Sequence, residues 1–290
     1  MKLLIFGSSG LVGNTLTKYF LIKSNFETIG VVRDDSKISF FHKNFKDNFI
    51  TIKNFLDFKS IERIINGFKP NVVINCCGLT NKVNYKNFNL VEKYININSL
   101  FPHKLYEICN KYKIRLIHLS TDCVFSGLRG FYNENDFPDP KDIYGRSKLL
   151  GEIDHENSIT IRKSVIGHEL GTEKGLLEWF LSQKDFVKGF KNVIFSGVTV
   201  LELANLIENF IIPNENLSGL FHVSGNSISK YDLLKIIAEV YNKSIDIRLD
   251  RSITIDRSLN STKFNEVTGY KIKPWPILIK SMYEFNLLNT

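Results

Sequence analysis

Tyr144 and Lys148 are the pair of residues in this sequence with the clearest capacity for chemistry. Positions four residues apart lie on one face of a helix, so both side chains would reach the same pocket. An ammonium group stabilises a phenolate, and this lowers a tyrosine pKa from its ordinary value near ~10. The spacing therefore predicts a phenol that donates and accepts a proton near neutral pH.

A glycine-rich turn at the start of the chain predicts a binding site for a dinucleotide. Residues 2–6 form a short apolar run without helical spacing, which is typical of a strand buried on both faces. A Gly-x-x-Gly-x-x-Gly motif follows, and after it come apolar residues at helical spacing. Gly7 permits a tight turn, Gly10 lets the backbone approach a pyrophosphate, and Gly13 lets the helix pack on the strand. The helix N-terminus would offer N–H groups to the phosphates.

Strand-like and helix-like segments alternate through the first half of the chain. This alternation predicts an α/β fold with a Rossmann-type, doubly wound parallel sheet, whose ligands bind beyond the carboxyl ends of the strands. We place an NAD(P)-binding domain at residues 1–163 and a smaller, interleaved C-terminal substrate-binding lobe at residues 164–290. A helix over about 90–112 should bend or break at Pro102. The expected strands cover residues 2–6, 27–32, 49–52, 72–76, 115–119 and 158–161.

The composition of the 290-residue chain is that of a soluble enzyme. Hydrophobic residues make up 43% and charged residues 23% of the chain, and no apolar run reaches the ~18 residues that span a bilayer. The net charge is +8, but the lysines are scattered, so we expect no nucleic-acid partner. The four cysteines lack metal-binding spacing, which predicts a cytoplasmic protein without a metal site.

Several motifs together resemble those of one enzyme family. They are the Gly7 turn, Ile97-Asn98-Ser99, the run 120–127, and Tyr144-Gly145-Arg146-Ser147-Lys148. The chain resembles the extended short-chain dehydrogenases/reductases, and among them the dTDP-4-dehydrorhamnose reductase-like sugar-nucleotide reductases. The resemblance extends over almost the whole chain, because Arg162, Gly167 and residues 257–261 also look like later motifs of that subgroup.

The resemblance implies roles for four catalytic residues. Tyr144 would give a proton to a carbonyl oxygen, while Lys148 would hold the cofactor ribose and keep Tyr144 acidic. Thr121 would hydrogen-bond the substrate carbonyl, and Asn98 would support a proton relay towards Lys148. The alternatives are a purely structural strand-end contact for Thr121 and a surface position for Asn98.

Cofactor preference depends on Arg33, at the end of the second expected strand. An arginine there pairs with a 2′-phosphate, whereas an acidic residue binds a 2′-hydroxyl, so we expect NADPH, with NADH as the alternative. Asp57 resembles the family's adenine-contacting aspartate. The complete set of residues expected at the cofactor is Gly7, Ser9, Gly10, Leu11, Val12, Gly13, Arg33, Asp57, Asn75, Cys76, Tyr144 and Lys148.

Substrate contacts are expected at Thr121, Asp122, His168 and Arg257. Arg257 is the best candidate to bind a nucleotide diphosphate, because it lies in a family-like motif. His168 lies in a loop that suits either the sugar or solvent. Cys123 stands where many dehydrorhamnose reductases are expected to have tyrosine, and this difference leaves other 6-deoxy or acetamido 4-keto sugars open.

These observations predict an NAD(P)H-dependent reductase of a nucleotide-activated 4-keto-6-deoxy sugar, in polysaccharide or glycan biosynthesis. A sugar-nucleotide epimerase or dehydratase of the same fold is one alternative. A non-catalytic NAD(P)-binding regulatory subunit is another. The expected partner is the nucleotide-sugar substrate, and a homodimer is one option for the assembly.

Overall fold

The computed structural model describes residues 1–80 and 88–288. Its strands are β1 Lys2–Phe6, β2 Glu27–Val32, β3 Phe49–Thr51, β4 Val72–Asn75, β5 Arg115–Leu119, β6 Ser158–Lys163, β7 Val165–Ile166, β8 Phe186–Phe190, β9 Val193–Phe195, β10 Val198–Thr199, β11 Gly219–Val223, β12 Ile228–Ser229, β13 Asp246–Asp250 and β14 Ile255–Asp256. Its α-helices are α1 Leu11–Lys23, α2 Phe58–Phe68, α3 Phe88–Tyr94, α4 Phe101–Lys111, α5 Ile143–Leu150, α6 Leu176–Ser182, α7 Val200–Leu206, α8 Lys230–Val240, α9 Thr262–Thr268 and α10 Trp275–Leu288.

A parallel sheet of seven strands, counted within the described residues, forms the centre of the fold. Its spatial order is β11-β6-β5-β4-β1-β2-β3, and every neighbouring pair runs parallel. One apolar core packs on each face of this sheet. The strand order turns back at β1, between β2 and β4, so the carboxyl ends of β1 and β4 border a crevice. This architecture confirms the predicted Rossmann-type fold.

The C-terminal half of the chain contributes to both parts of the molecule. Strand β11 pairs with β6 and completes the central sheet, and helix α7 packs against α1. A separate apolar core lies between α6, α8, α10 and the short strands β8 and β9. We expected residues 221–223 in the substrate-binding lobe, whereas Phe221 and Val223 are buried in the core of the main sheet.

The helix expected to bend or break at Pro102 instead widens before it. Residues Ile95–Leu100 form π-helical turns between α3 and α4, and the chain stays helical from Phe88 to Lys111. Pro102 has no N–H to donate to the Asn98 carbonyl four residues earlier. The wider turns, in which Phe101 N–H bonds the Asn96 carbonyl, accommodate this loss. The irregularity therefore lies at Asn98, next to the predicted site.

Two features, a membrane-spanning helix and a metal-binding cluster, are absent from the described residues. No helix there is long and apolar enough to cross a membrane. The same part of the chain contains no group of three or more His, Cys, Asp or Glu side chains that could hold a metal ion.

Candidate active site

The glycine turn between β1 and α1 has the shape that a phosphate group needs. Gly7 has φ of +82°, in the left-handed region that favours glycine. A Cβ on Gly13 would lie 2.1 Å from the Gly7 carbonyl oxygen, so the helix packs too closely for any side chain there. Helix α1 begins after Gly10 and has no acidic residue in its first turn. Its positive end can therefore receive an anion.

Two cavities meet at this turn. The first, of about 280 Å³, is bordered by the start of α1 and by Tyr144 and Lys148. The second, of about 240 Å³, is bordered by Gly7, Arg33 and Phe55. The residues that line both are Ser9, Gly10, Lys37, Cys76, Cys77 and Gly78. Together they form a cleft across the carboxyl ends of the strands, and this shape fits an extended dinucleotide.

Arg33, the residue after β2, lines the second cavity and brings a positive charge to it. The carboxylate of the next residue, Asp34, accepts a hydrogen bond from Ser36 N at 2.9 Å and caps the 3₁₀ segment Asp35–Phe40. This hydrogen bonding lowers the pKa of Asp34. The Asp34 carboxylate is thus used within its own turn, and it does not line the cavity.

Two residues expected to contact the cofactor also hold the local backbone. Asp57 caps helix α2, where its carboxylate accepts hydrogen bonds from Ser60 N at 3.1 Å and Ser60 Oγ at 2.6 Å. Asn75 is fully buried, and its Oδ1 accepts a hydrogen bond from Cys77 N at 3.0 Å. Neither residue lines either of these two cavities, whereas Cys76 lines both. Asn75 therefore shapes the turn that presents Cys76.

Tyr144 and Lys148 lie on one helix and border one cavity, as their spacing predicts. Asp142 caps the helix by accepting a hydrogen bond from Gly145 N at 2.7 Å. The Lys148 side chain is buried, and its Nζ donates a hydrogen bond to the Leu119 carbonyl at 2.7 Å. This bond ties the amine to the end of β5, two residues before Thr121.

The expectation that Lys148 lowers the pKa of Tyr144 is wrong for the unliganded protein. Burial raises the pKa of Tyr144, and the Cys123 thiol adds to this, while a hydrogen bond with the Thr121 hydroxyl acts in the opposite direction. Burial also lowers the pKa of Lys148 to about 7, with the nearby Lys163 as the second cause. Desolvation therefore outweighs the charge effect on which the prediction depended.

Asn98 holds the backbone next to the site and does not reach Lys148 through its side chain. Its Oδ1 accepts a hydrogen bond from Leu79 N at 2.8 Å, and its Nδ2 donates to Leu79 O at 3.1 Å and to Ser147 Oγ at 3.0 Å. It is fully buried, so the surface alternative is also wrong. Both polar atoms of its side chain are bonded to Leu79 and Ser147, and the proton relay towards Lys148 stays a prediction.

The Asp122 carboxyl, in the residue that follows Thr121, lies near three cations. The cations, which we call the cation group, are Lys163, Lys230 and Arg257. Burial raises the pKa of Asp122, and Arg257 and Lys163 oppose this effect. Burial lowers the pKa values of Lys163 and Lys230, and Asp122 opposes both changes. Arg257 is oriented by a hydrogen bond from its Nε to the Phe125 carbonyl at 3.0 Å. Cations outnumber carboxylates here, so the site favours an anionic ligand.

His168, expected to contact the sugar or solvent, is held inside the C-terminal lobe. Its Nδ1 lies 2.6 Å from Glu178 Oε1, and its Nε2 lies 2.9 Å from the Tyr241 hydroxyl. The neighbouring residue Glu169, by contrast, lines the first cavity. Both ring nitrogens of His168 thus have partners in the lobe, and its contact with the sugar stays a prediction.

Three cations of the site, Lys163, Lys230 and Lys37, are absent from the sequence-based expectations, and two of them, Lys163 and Lys37, face the cleft. Lys163 ends strand β6, a position at which strand-end reasoning could have found it. Lys230 follows directly after Ser229, the residue that caps α8. Lys37 lies in the 3₁₀ segment after β2 and lines both cavities, and nothing in its local sequence indicates this.

Comparisons with known proteins bear on this site. Residues 1–283 match the family model described as RmlD substrate binding domain. The chain is 25% identical to dTDP-4-dehydrorhamnose reductase of Aggregatibacter actinomycetemcomitans, over 97% of this chain and 98% of that protein. It is 24% identical to methionine adenosyltransferase 2 subunit beta of Mus musculus, over 83% of this chain and 72% of that protein.

A solved structure has the same fold. It is that of a dTDP-4-dehydrorhamnose reductase from Bacillus anthracis in complex with NADP, which matches with a TM-score of 0.77 and covers 98% of each chain at 18% identity. At this identity the likeness supports the architecture of the sheet and lobe.

Proposed function

Because this chain belongs to the RmlD substrate binding domain family, within the extended short-chain dehydrogenases/reductases, we propose that it is an NADPH-dependent reductase of a nucleotide-activated 4-keto sugar. The convergence of Tyr144, Lys148 and Thr121 carries the proposal, because Tyr144 and Lys148 border the cavity at the start of α1 and Thr121 hydrogen-bonds Tyr144. The similarity to dTDP-4-dehydrorhamnose reductase suggests a 6-deoxy sugar.

The residues of the site fit the chemistry of carbonyl reduction. Bound NADPH would supply a hydride to the carbonyl carbon. Tyr144 would release its phenolic proton to the carbonyl oxygen as the new C–H bond forms, so negative charge would not accumulate on that oxygen. The Thr121 hydroxyl would donate a hydrogen bond to the same oxygen and fix the carbonyl beside the phenol.

The cation group supports an anionic substrate. Arg257 is positioned by the Phe125 carbonyl, and neither Arg257 nor Lys230 lines either of the two cofactor cavities. Guanidinium and ammonium groups bind phosphate oxygens strongly. We therefore assign the nucleotide diphosphate of the substrate to Arg257 and Lys230.

The test is the loss of NADPH absorbance with dTDP-, UDP- and GDP-linked 4-keto sugars. Tyr144→Phe should lower kcat on the best substrate by about 100-fold or more, the scale of general acid catalysis. The matched control is Tyr106→Phe, because the Tyr106 hydroxyl bonds the Glu156 carbonyl and lines neither of the two cavities. A Tyr144→Phe enzyme that turns over at the unaltered rate would exclude Tyr144 as the proton donor.

A second candidate function is that of a non-catalytic, dinucleotide-binding regulatory subunit. The similarity to a protein named as a subunit of methionine adenosyltransferase, over 83% of this chain, favours it. The raised pKa of Tyr144 in the unliganded site agrees with it as well. Tight NADPH binding without turnover of any nucleotide sugar in the same assay would support this candidate against the reductase.

A further inference from the structure

A loop of the C-terminal half lies across the glycine turn. Residues 169–175, which we call the strap, follow β7 and precede α6. Leu170, Thr172 and Lys174 of the strap line the same cavity as the start of α1. A Cβ on Gly175 would lie 3.1 Å from Leu11 Cδ1, and a Cβ on Gly171 would lie 2.9 Å from Phe40 Cζ. The strap therefore touches the N-terminal half on both sides of the cavity.

Glu169 gives the strap its shape. Its Oε2 accepts hydrogen bonds from Thr172 Oγ1 at 2.9 Å, from Lys174 N at 2.9 Å and from Gly175 N at 2.8 Å. Gly171 has φ of +64°, which lets the chain turn between these donors. Hydrogen bonds to a charged acceptor are stronger than neutral ones. The loop is thus ordered before any ligand binds, and a ligand does not have to order it.

The strap brings a positive charge over the positive end of α1. The Lys174 ammonium group makes no hydrogen bond or ion pair with any residue in the described ranges 1–80 and 88–288. Lys37 lines the same cavity, with its ammonium 5.2 Å from the centre of the Phe40 ring. The Glu169 carboxylate accepts its hydrogen bonds from the three donors within the strap, which compensate its negative charge. The two lysines and the helix end therefore face one space with the same sign of potential.

We propose that the strap is a cofactor clamp in which Lys174 binds the pyrophosphate of the dinucleotide. This inference rests on the dinucleotide binding included in the proposed function, and it adds a contact from the C-terminal half. Lys174 lines the cavity at the start of α1 and does not line the one that contains Arg33. Lys174 therefore binds the pyrophosphate, which NADPH and NADH share, and Arg33 binds the 2′-phosphate of NADPH.

The test measures dissociation constants of NADPH, NADH and ADP-ribose by titration calorimetry, without substrate. Lys174→Met should weaken all three by a similar factor of about 10, because each contains the pyrophosphate. Arg33→Ala should weaken NADPH alone. The matched control is Lys184→Met, another exposed lysine that lines neither cavity. Unchanged affinities in Lys174→Met, or a loss confined to NADPH, would overturn the assignment.

A second variant tests the shape of the strap. Glu169→Ala removes the acceptor of all three hydrogen bonds, so it should weaken the three ligands and speed amide hydrogen exchange over 169–175. Wild-type affinity together with faster exchange would show that a preformed strap is not needed, and would overturn that part of the proposal. Urea unfolding of each variant identifies a general loss of stability. Binding that depends on Lys174 without any turnover would support the clamp while the reductase proposal fails.

Discussion

Replacing Lys148 by methionine should stabilise the unliganded protein at neutral pH. Burial and Lys163 lower the pKa of Lys148 from 10.5 to about 7. The unfolded chain therefore binds this proton more tightly than the folded chain, so protonation favours unfolding. The resulting destabilisation of the folded protein is fully present below pH ~7 and disappears as the pH rises towards 10.5. A folded-state pKa below the unfolded value thus means that the stability of the wild-type protein rises with pH in this window.

The size of the effect follows from the two pKa values. They differ by about 3.5, which corresponds to about 5 kcal/mol at about 1.4 kcal/mol per pH unit. Methionine also removes the hydrogen bond to the Leu119 carbonyl, and an unpaired buried carbonyl costs about 1–3 kcal/mol. We expect Lys148→Met to gain about 2–4 kcal/mol near pH 7 and to lose this advantage near pH 10.

The assay is urea unfolding of Lys148→Met and wild type, without cofactor, at intervals from pH 6.5 to 10. The difference between the two proteins removes the contribution of all other titrating groups. Lys184→Met is the control, since an exposed lysine should show no difference at any pH. A Met variant that is less stable than wild type across the whole range would refute the reasoning, because it would mean that Lys148 keeps its charge in the folded state.

Two further predictions concern the neighbours of this lysine. Lys163→Met removes the second cause of the lowered pKa of Lys148, so the high-pH limb of kcat should move to higher pH; a pH–rate profile measures this, and an unmoved limb would contradict it. Glu152→Ala leaves the buried Arg162 guanidinium without its two hydrogen bonds to the Glu152 carboxylate, at 2.8 and 2.7 Å, and should cost about 3–5 kcal/mol in urea unfolding. An effect below ~1 kcal/mol, the level of a surface ion pair, would show that Arg162 is solvated.

The sheet and the glycine turn could be predicted because their signals are local. Residues 2–6 are an uninterrupted apolar run, and β1 is buried on both faces. The glycines at positions 7, 10 and 13 are only three residues apart, so their spacing alone determines which residues are in contact. The resemblance to the short-chain dehydrogenases/reductases, which used the same local motifs, is confirmed by the family match over residues 1–283.

Contacts between distant segments could not be predicted in the same way. His168 is held by Glu178 and by Tyr241, which is 73 residues further along the chain. The cation group joins Lys163, Lys230 and Arg257 from three separate segments. No spacing rule relates such positions, because their distance depends on how β6, α8 and the segment after β14 pack.

The expected direction of the Tyr144 pKa shift is wrong for a different reason. The geometry of the pair was predicted, but the relative size of the burial effect and the charge effect was not. The four-residue spacing places Lys148 on the same helix face, but it contains no information on how much water reaches either group. In the structure, burial shifts both groups towards their neutral forms, and Lys163 reinforces this at Lys148. An anion bound in the cavity that Lys148 and Lys163 share would oppose this shift by stabilising both ammonium groups. The charge that the proposed chemistry needs on Lys148 thus depends on occupancy of the cleft, so the pair should become competent for proton transfer as its anionic ligands bind.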